Sequence, residues 1–147
     1  MTQDALIIPC GDCTSLNRVP RSKLSANVVC GSCKTKLFKG SPLELKSSTF
    51  TRHVEKTDVP LVINFWAPWC GPCKMMTPTY DLVCSQMEPY IRFAKVNTDL
   101  EPMIASGFTI RSTPTLILFN NGSEVERQTG AMDALILSNW LKTKTQS

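Results

Sequence analysis

No apolar run in this 147-residue chain approaches the roughly 20 residues that a membrane-spanning helix needs. No membrane span is therefore expected. Basic clusters are missing as well. The net charge of +4 is mild, so a nucleic-acid partner is not implied. The N-terminal stretch from Met1 to Cys10 lacks a positive n-region and holds only a three-residue apolar segment, so a secretory signal is not expected. Histidine occurs once, at His53. As a general base it would be attractive in isolation, but it falls on a helix expected at the surface, where a solvated or half-packed side chain is the plainer expectation. Cysteine, by contrast, occurs seven times. In a small secreted chain that number would read as a disulfide framework. Without a signal, metal binding or catalysis in a reducing cytoplasm is the better expectation. The length suits one domain, or one domain with a small appendage, and an apolar content of 42% is enough for a core.

The chain is organised around Leu61 to Lys74. Leu61 to Trp66 is an apolar run of β-branched and aromatic residues without alternation, which predicts a strand buried on both faces, as in a parallel sheet. After the turn at Ala67 and Pro68 come Cys70 and Cys73, two residues apart. Downstream, Met75, Met76, Leu82, Val83 and Met87 have a rough helical spacing, so the cysteine pair is placed where a strand ends and a helix begins. The first turn of a helix carries unpaired N–H groups and the positive end of the macrodipole. A thiolate there is stabilised and its pKa falls. Gly71 and Pro72 suit the gap, because proline lacks an N–H that the first turn leaves unused. The pair can then cycle between dithiol and disulfide, with Cys70 attacking a substrate disulfide and Cys73 resolving the mixed disulfide.

Residues 65–74, Phe-Trp-Ala-Pro-Trp-Cys-Gly-Pro-Cys-Lys, resemble the active-site segment of the thioredoxin family. The resemblance covers about residues 40–145. It implies an α/β thioredoxin fold, with a mixed central sheet and helices on both faces, and protein-disulfide reduction with electrons from NADPH through thioredoxin reductase. It also implies that Trp69 shields the cysteine pair and contacts substrate, and that Thr113 and Pro114 dock it. In the family the matching proline is cis, which exposes the backbone of the preceding residue to an extended substrate strand. From sequence alone, a trans turn proline would be the default. Gly130 and Ala131 match a family position near the substrate groove. One departure stands out. The residue before Phe65-Trp66-Ala67 is usually a buried aspartate, thought to take the proton of the resolving cysteine, and here it is Asn64. An amide can hydrogen-bond but is no base at neutral pH. Lys95 corresponds to a lysine near that aspartate, so the family's charge pair is absent.

Residues 1–39 differ in character from the rest. Cys10-Gly11-Asp12-Cys13 and Cys30-Gly31-Ser32-Cys33 are separated by sixteen residues, the spacing of a four-thiolate zinc site. Each pair presents two sulfurs to one ion and two pairs complete a tetrahedron. Gly11 and Gly31 suit tight turns. The intervening Leu16, Val19, Leu24, Val28 and Val29 are too few for an independent core, so a metal would supply most of the ordering free energy. Two structural disulfides or a second redox pair are the alternatives. The segment resembles a zinc ribbon, and with it the whole chain resembles the zinc-containing bacterial type, thioredoxin 2. A zinc module over 1–39 and a thioredoxin domain over 40–147 are expected.

Elsewhere, Pro42 to Leu45 reads as a short first strand, and Ser47 or Ser48 as the cap of a helix running to about Val54, with Phe50 and Val54 facing the core. Pro78 is expected to kink the helix after the cysteines. Cys84 on that helix reads as a small buried hydrophobe, or else a regulatory thiol. Ile91 to Asn97 alternates and reads as a strand. A short helix opens near Pro102 and stops at Gly107. Leu116 to Phe119, the turn Asn120-Asn121-Gly122 and Glu124 to Gln128 form a hairpin. Leu135, Ile136, Trp140 and Leu141 are expected to close the fold as a last helix. One structural Zn²⁺ and no organic cofactor, disulfide-bonded clients, a monomeric state and a cytoplasmic site complete the expectation. A zinc-dependent, redox-switched client-binding role for residues 1–39 is the second hypothesis, and a disulfide-forming oxidase the third.

Overall fold

The computed structural model describes residues 4–145; residues 1–3, at the head of the stretch read as carrying no signal, and 146–147 lie outside the described residues. A two-stranded antiparallel hairpin comes first: β1 (Ala5–Pro9) and β2 (Leu16–Pro20). A five-stranded sheet follows in the order β3-β5-β4-β6-β7. Its strands are β3 (Leu43–Glu44), β4 (Leu61–Trp66), β5 (Arg92–Asn97), β6 (Thr115–Asn120) and β7 (Ser123–Thr129). β3, β5 and β4 run parallel, while β6 and β7 are antiparallel to their neighbours. Four helices complete the chain: α1 (Phe50–Lys56), α2 (Gly71–Met87), α3 (Pro102–Gly107) and α4 (Ala134–Thr145).

The apolar run of β4 lacks alternation because both faces are covered. Leu61, Ile63 and Phe65 pack with Phe50, Val54 and Ile104 from α1 and α3, whereas Val62 packs with Met76, Tyr80 and Val83 of α2 and Leu137 and Leu141 of α4. The sheet is thus mixed, with helices on both faces, as the sequence predicts. Pro78 is accommodated inside α2. Asn121 (φ 52°) and Gly122 (φ 86°) both lie in the left-handed region, the requirement of a two-residue hairpin turn.

Several expectations need correction. The residue before α1 is Thr49, not Ser47 or Ser48, and its hydroxyl bonds Lys46 rather than capping the helix. Leu135 and Ile136 are exposed; the buried stripe of α4 is Leu137 and Leu141. The helix α3 does end at Gly107, but the positive φ falls on Thr109 (φ 55°). Arg92 opens a strand read as alternating, yet it is 1% exposed, because residues Leu37 and Phe38 lie over the end of β5.

The N-terminal segment has more core than its loop residues suggest. Leu16 and Val29 are exposed, but Leu6, Ile8 and Leu37 join Val19 and Leu24, and Val59 from the loop before β4 closes the cluster. Directional bonds fix its seat on the sheet. Ile7 N–H donates to Asp58 Oδ2 at 2.7 Å, Asp58 N–H donates to Ile7 O, and Arg52 Nε donates to Thr14 O at 2.6 Å.

β1 also packs on α1, and this explains His53. The helix is not a surface helix: one flank faces the sheet and another meets the N-terminal hairpin. His53 is 1% exposed and its Nδ1 has no partner among the described residues. Burial, then the nearby charges of Arg92 and Arg52, holds its pKa down from 6.5 to about 4. The unfolded chain therefore takes up this proton first as pH falls. Stability from His53 is whole above pH 6.5 and erodes progressively between 6.5 and 4. Denaturant titrations at pH 7.5 and 5.0 should show a loss of about 2 kcal/mol in wild type that His53→Gln does not share. Equal losses in the two proteins would mean that the imidazole titrates normally in the fold.

Candidate active site and four-cysteine centre

α2 begins where β4 delivers the chain. Cys70 is its N-cap, in extended conformation, and its Sγ accepts from Cys73 N–H at 3.2 Å. Pro72 lies in the first turn. Cys70 and Cys73 are joined as a disulfide with their Cα atoms 5.2 Å apart, a separation within the usual range for such bonds. Ala67 and Trp66 pack against the pair. The sulfur of Cys70 is 3.4 Å from Thr113 O, and the Thr113–Pro114 peptide is cis. These residues meet because β4 and β6 are antiparallel neighbours: Phe65 pairs with Thr115, so the end of one strand adjoins the start of the other. Gly130 (φ 99°) donates its N–H to Pro114 O at 2.8 Å and completes the same end of the sheet.

Trp69 stands 71% exposed beside the pair, its indole Nε1 donating to Asp99 Oδ1 at 3.2 Å. Asp99 is itself placed by Asn97, whose Oδ1 accepts from Asp99 N–H and Leu100 N–H. The sequence reading missed Asp99 and Asn97. The Asn-Thr-Asp turn after a strand was a signal for such side-chain-to-backbone bonds.

Asn64 pairs with Lys95 across β4 and β5. It is buried, and its Oδ1 has no partner among the described residues; the same holds for Trp66 Nε1. With Thr77, Tyr80, Asp81 and Lys95 these two line a cavity of about 110 Å³. Thr77 Oγ1 donates to Cys73 O, so the cavity wall continues into the helical turn that carries Cys73. Lys95 Nζ lies 5.6 Å from the centroid of the Trp66 ring and interacts with its face.

The other four predicted cysteines also converge. The sulfurs of Cys10, Cys13, Cys30 and Cys33 all lie within 4.8 Å of one another, with Cys10–Cys33 at 3.6 Å and Cys13–Cys30 at 3.5 Å. Ligands about 2.3 Å from one ion stand about 3.8 Å apart in a tetrahedron, so the set fits zinc. The two turns are built alike. Thr14 N–H donates to Cys10 O and Cys10 N–H to Ser15 O, while Lys34 N–H donates to Cys30 O and Cys30 N–H to Thr35 O. The left-handed residues are Thr14 (φ 64°) and Lys34 (φ 69°), not Gly11 and Gly31. Gly11 serves close approach instead: a Cβ there would strike the Leu43 side chain. Asp12 N–H points at Cys10 Sγ (3.3 Å) and Ser32 N–H at Cys30 Sγ (3.4 Å), donors that favour thiolate. Hydrogen bonding from the Cys33 backbone, with Asn17 and the Ser32 backbone assisting, brings the Cys30 thiol down to about 6. All four are free thiols, not the pair of disulfides kept open as an alternative. The seventh cysteine, Cys84, is fully buried in the core, and burial followed by the Glu88 carboxylate pushes its thiol well up, so it is an inert hydrophobe at neutral pH.

Known families place both sets. The thioredoxin family model matches residues 41–143, and a model described as thioredoxin 2, N-terminal, matches residues 9–35. The chain belongs to the thioredoxin family. Thioredoxin C-3 of Corynebacterium nephridii is 42% identical over 141 residues, covering 96% of this chain and 97% of that one. Thioredoxin 1 of Nostoc sp. is 44% identical over 99 residues, covering 67% of this chain and 92% of its own length. The fold is accordingly a thioredoxin fold with an N-terminal zinc ribbon, and the family's chemistry is thiol–disulfide exchange, with a reductase and disulfide-bonded clients as its partners in general. The Cys70–Cys73 pair holds the family's active-site position at disulfide distance. Among the described residues no helix is long and apolar enough to cross a membrane.

Proposed function

We propose that this thioredoxin-family oxidoreductase reduces client disulfides with Cys70 as nucleophile and Cys73 as resolving thiol. The observation that carries the assignment is the N-cap position of Cys70, whose sulfur accepts the Cys73 N–H and lies beside the cis Thr113–Pro114 peptide. The Cys70 thiolate attacks one sulfur of the client disulfide, the client S–S bond breaks, and its leaving thiolate takes a proton. The Cys73 thiolate then attacks Cys70 Sγ, the mixed disulfide breaks, and a second client thiol leaves. Two electrons pass to the client and the Cys70–Cys73 disulfide remains. Gly71 and Pro72 set the geometry between the sulfurs. Trp69 covers the pair and touches the client, and the backbone of Thr113, held out by Pro114, pairs with an extended client segment. An NADPH-dependent thioredoxin reductase restores the dithiol. Steady NADPH consumption with that reductase and a disulfide-bonded protein tests the reading; no turnover despite a reducible Cys70–Cys73 disulfide would overturn it.

The boundary between the ribbon and the thioredoxin domain is assigned at residues 39 and 40, between the two family matches. Cys10, Cys13, Cys30 and Cys33 would hold one structural Zn²⁺, whose chemistry is to cross-link the two turns. The bonds that seat the ribbon on Asp58 and Arg52 favour this structural role over a detachable client-binding one. A monomer in a reducing cytoplasm suits five free thiols.

Asn64 and Lys95 support the resolving step without a carboxylate at position 64. The Cys73 proton leaves to water or hydroxide, because the Asn64 amide cannot accept it. In Asn64→Asp, resolution measured by stopped flow should lose its steep pH dependence and run about tenfold faster near pH 6.5. Superimposable pH profiles would exclude a proton-transfer role for position 64.

A further inference from the structure

Arg92 is the only fully buried cation among the described residues. It sits where the ribbon, α1, the end of α2 and β5 meet. Its Nη1 donates to Leu37 O at 2.6 Å, and its guanidinium carbon lies 4.6 Å from the centroid of the Phe38 ring. Its Nε and Nη2 have no hydrogen-bond partner, and it forms no ion pair among the described residues. A buried charge left in this state costs several kcal/mol unless something nearby answers it.

Three sides of the guanidinium answer it poorly. The Glu88 carboxylate is the strongest acidic influence on it but forms no ion pair with it, and its oxygens accept from Gly40 N–H at 3.1 Å and Phe93 N–H at 3.3 Å. Cys84 is a protonated thiol and His53 a neutral imidazole at pH 7. Asp12 is held by Lys39 in an exposed ion pair at 2.7 Å. On the fourth side lies the four-cysteine centre. Nη2 faces Gly11, inside the Cys10–Cys13 turn, so closely that a Cβ at Gly11 would be 3.2 Å from it. Four thiolates around one divalent ion carry a net charge of −2; Cys10 and Cys30 are buried on the side of the ribbon core, while Cys13 and Cys33 face solvent.

We propose that Arg92 is the outer cation of the zinc centre: its Nη2, beside Gly11 and the Leu43 side chain, lies against the Cys10–Cys13 turn, offsets the charge of the four thiolates, and so makes zinc retention depend on a residue of the catalytic sheet. This rests on the reading that the four cysteines bind zinc. The consequence for the protein is a mutual dependence. The ribbon's metal charge stabilises a guanidinium that would otherwise be stranded in the sheet edge. That guanidinium in turn tightens the metal.

The test is zinc affinity of the full reduced chain, by competition with a chromophoric chelator at fixed pH. Arg92→Met should weaken zinc by about 10- to 100-fold, the usual scale for an outer partner of a metal ligand. Arg92→Lys, which keeps the charge, should stay within a few-fold of wild type. Glu88→Gln removes the competing carboxylate and should leave affinity equal or tighter. If Arg92 only glued the ribbon to the sheet, Glu88→Gln would loosen zinc in the same direction as Arg92→Met, and lysine would be as poor as methionine. Either of those results, or an Arg92→Met affinity within twofold of wild type, overturns the inference while leaving the zinc reading intact. A wild-type chain that binds no zinc overturns both. Should Arg92→Met fail to fold, the lysine and Glu88→Gln arms still decide by their signs.

Discussion

Replacing Cys70 with serine should abolish turnover: reductase-coupled NADPH consumption is expected to fall by about three orders of magnitude or more, to the rate without protein. A serine hydroxyl at the N-cap keeps the hydrogen bond from the Cys73 N–H but offers no thiolate, so the first S–S bond is never attacked. Cys73→Ser should fail differently. Its first step survives, its second does not, and the variant should accumulate one client molecule linked through Cys70, visible by mass and released by added thiol. The difference follows from placement. The sulfur of Cys70 caps the helix and lies beside Thr113 O at the end of the sheet, next to the exposed Trp69 indole, while Cys73 lies within the first turn of α2. Client trapped on Cys73 in the Cys70→Ser variant, with none trapped on Cys70 in the other, would reverse the assigned roles.

The parts of this molecule that were legible in the sequence are those fixed by neighbours along the chain. A strand with both faces covered shows as an apolar run without alternation, and β4 does, with Asn64 its one polar residue. A C-x-x-C turn places its own two sulfurs, so both kinds of cysteine pair were readable, and the hairpin turn at Asn121 and Gly122 announces itself by residue type. What failed depended on contacts between distant segments. His53 was read as half-solvated because a short helix with one apolar flank resembles a surface helix until the N-terminal hairpin is laid on its other flank. The burial of Arg92 is not legible in an alternating strand for the same reason: nothing local says that Leu37 and Phe38 cover it. Leu6, Ile8 and Leu37 were left out of the ribbon core because they lie outside the loop between the cysteine pairs. The helical spacing of Leu135, Ile136, Trp140 and Leu141 gives the helix but not its phase, which Leu137 and Leu141 set against α2 and the sheet.

That same long-range dependence makes metal removal the second large effect, and the lone histidine reports it. Zinc bound by four thiolates contributes on the order of 10 kcal/mol to the order of such a module. Without it the ribbon retains two five-residue strands and a cluster that needs Val59 from the neighbouring loop to close. Ordering each residue costs about 1–2 kcal/mol, so a cluster of this size cannot hold some thirty residues alone. Chelation, or Cys13→Ser with Cys33→Ser, should therefore release residues 5–37 as a unit while the β4–β6 sheet keeps its own two cores. Once β1 leaves α1, water reaches His53. Its imidazole should then titrate near 6.5 instead of about 4, a shift readable from a single ring resonance because the chain has no other histidine. Amide exchange in β1 and β2 should rise over the same titration with chelator. A His53 resonance that still ignores pH between 5 and 8 after the metal is gone would mean that the Asp58 and Arg52 bonds hold the ribbon by themselves. The zinc would then serve its cysteines rather than the fold.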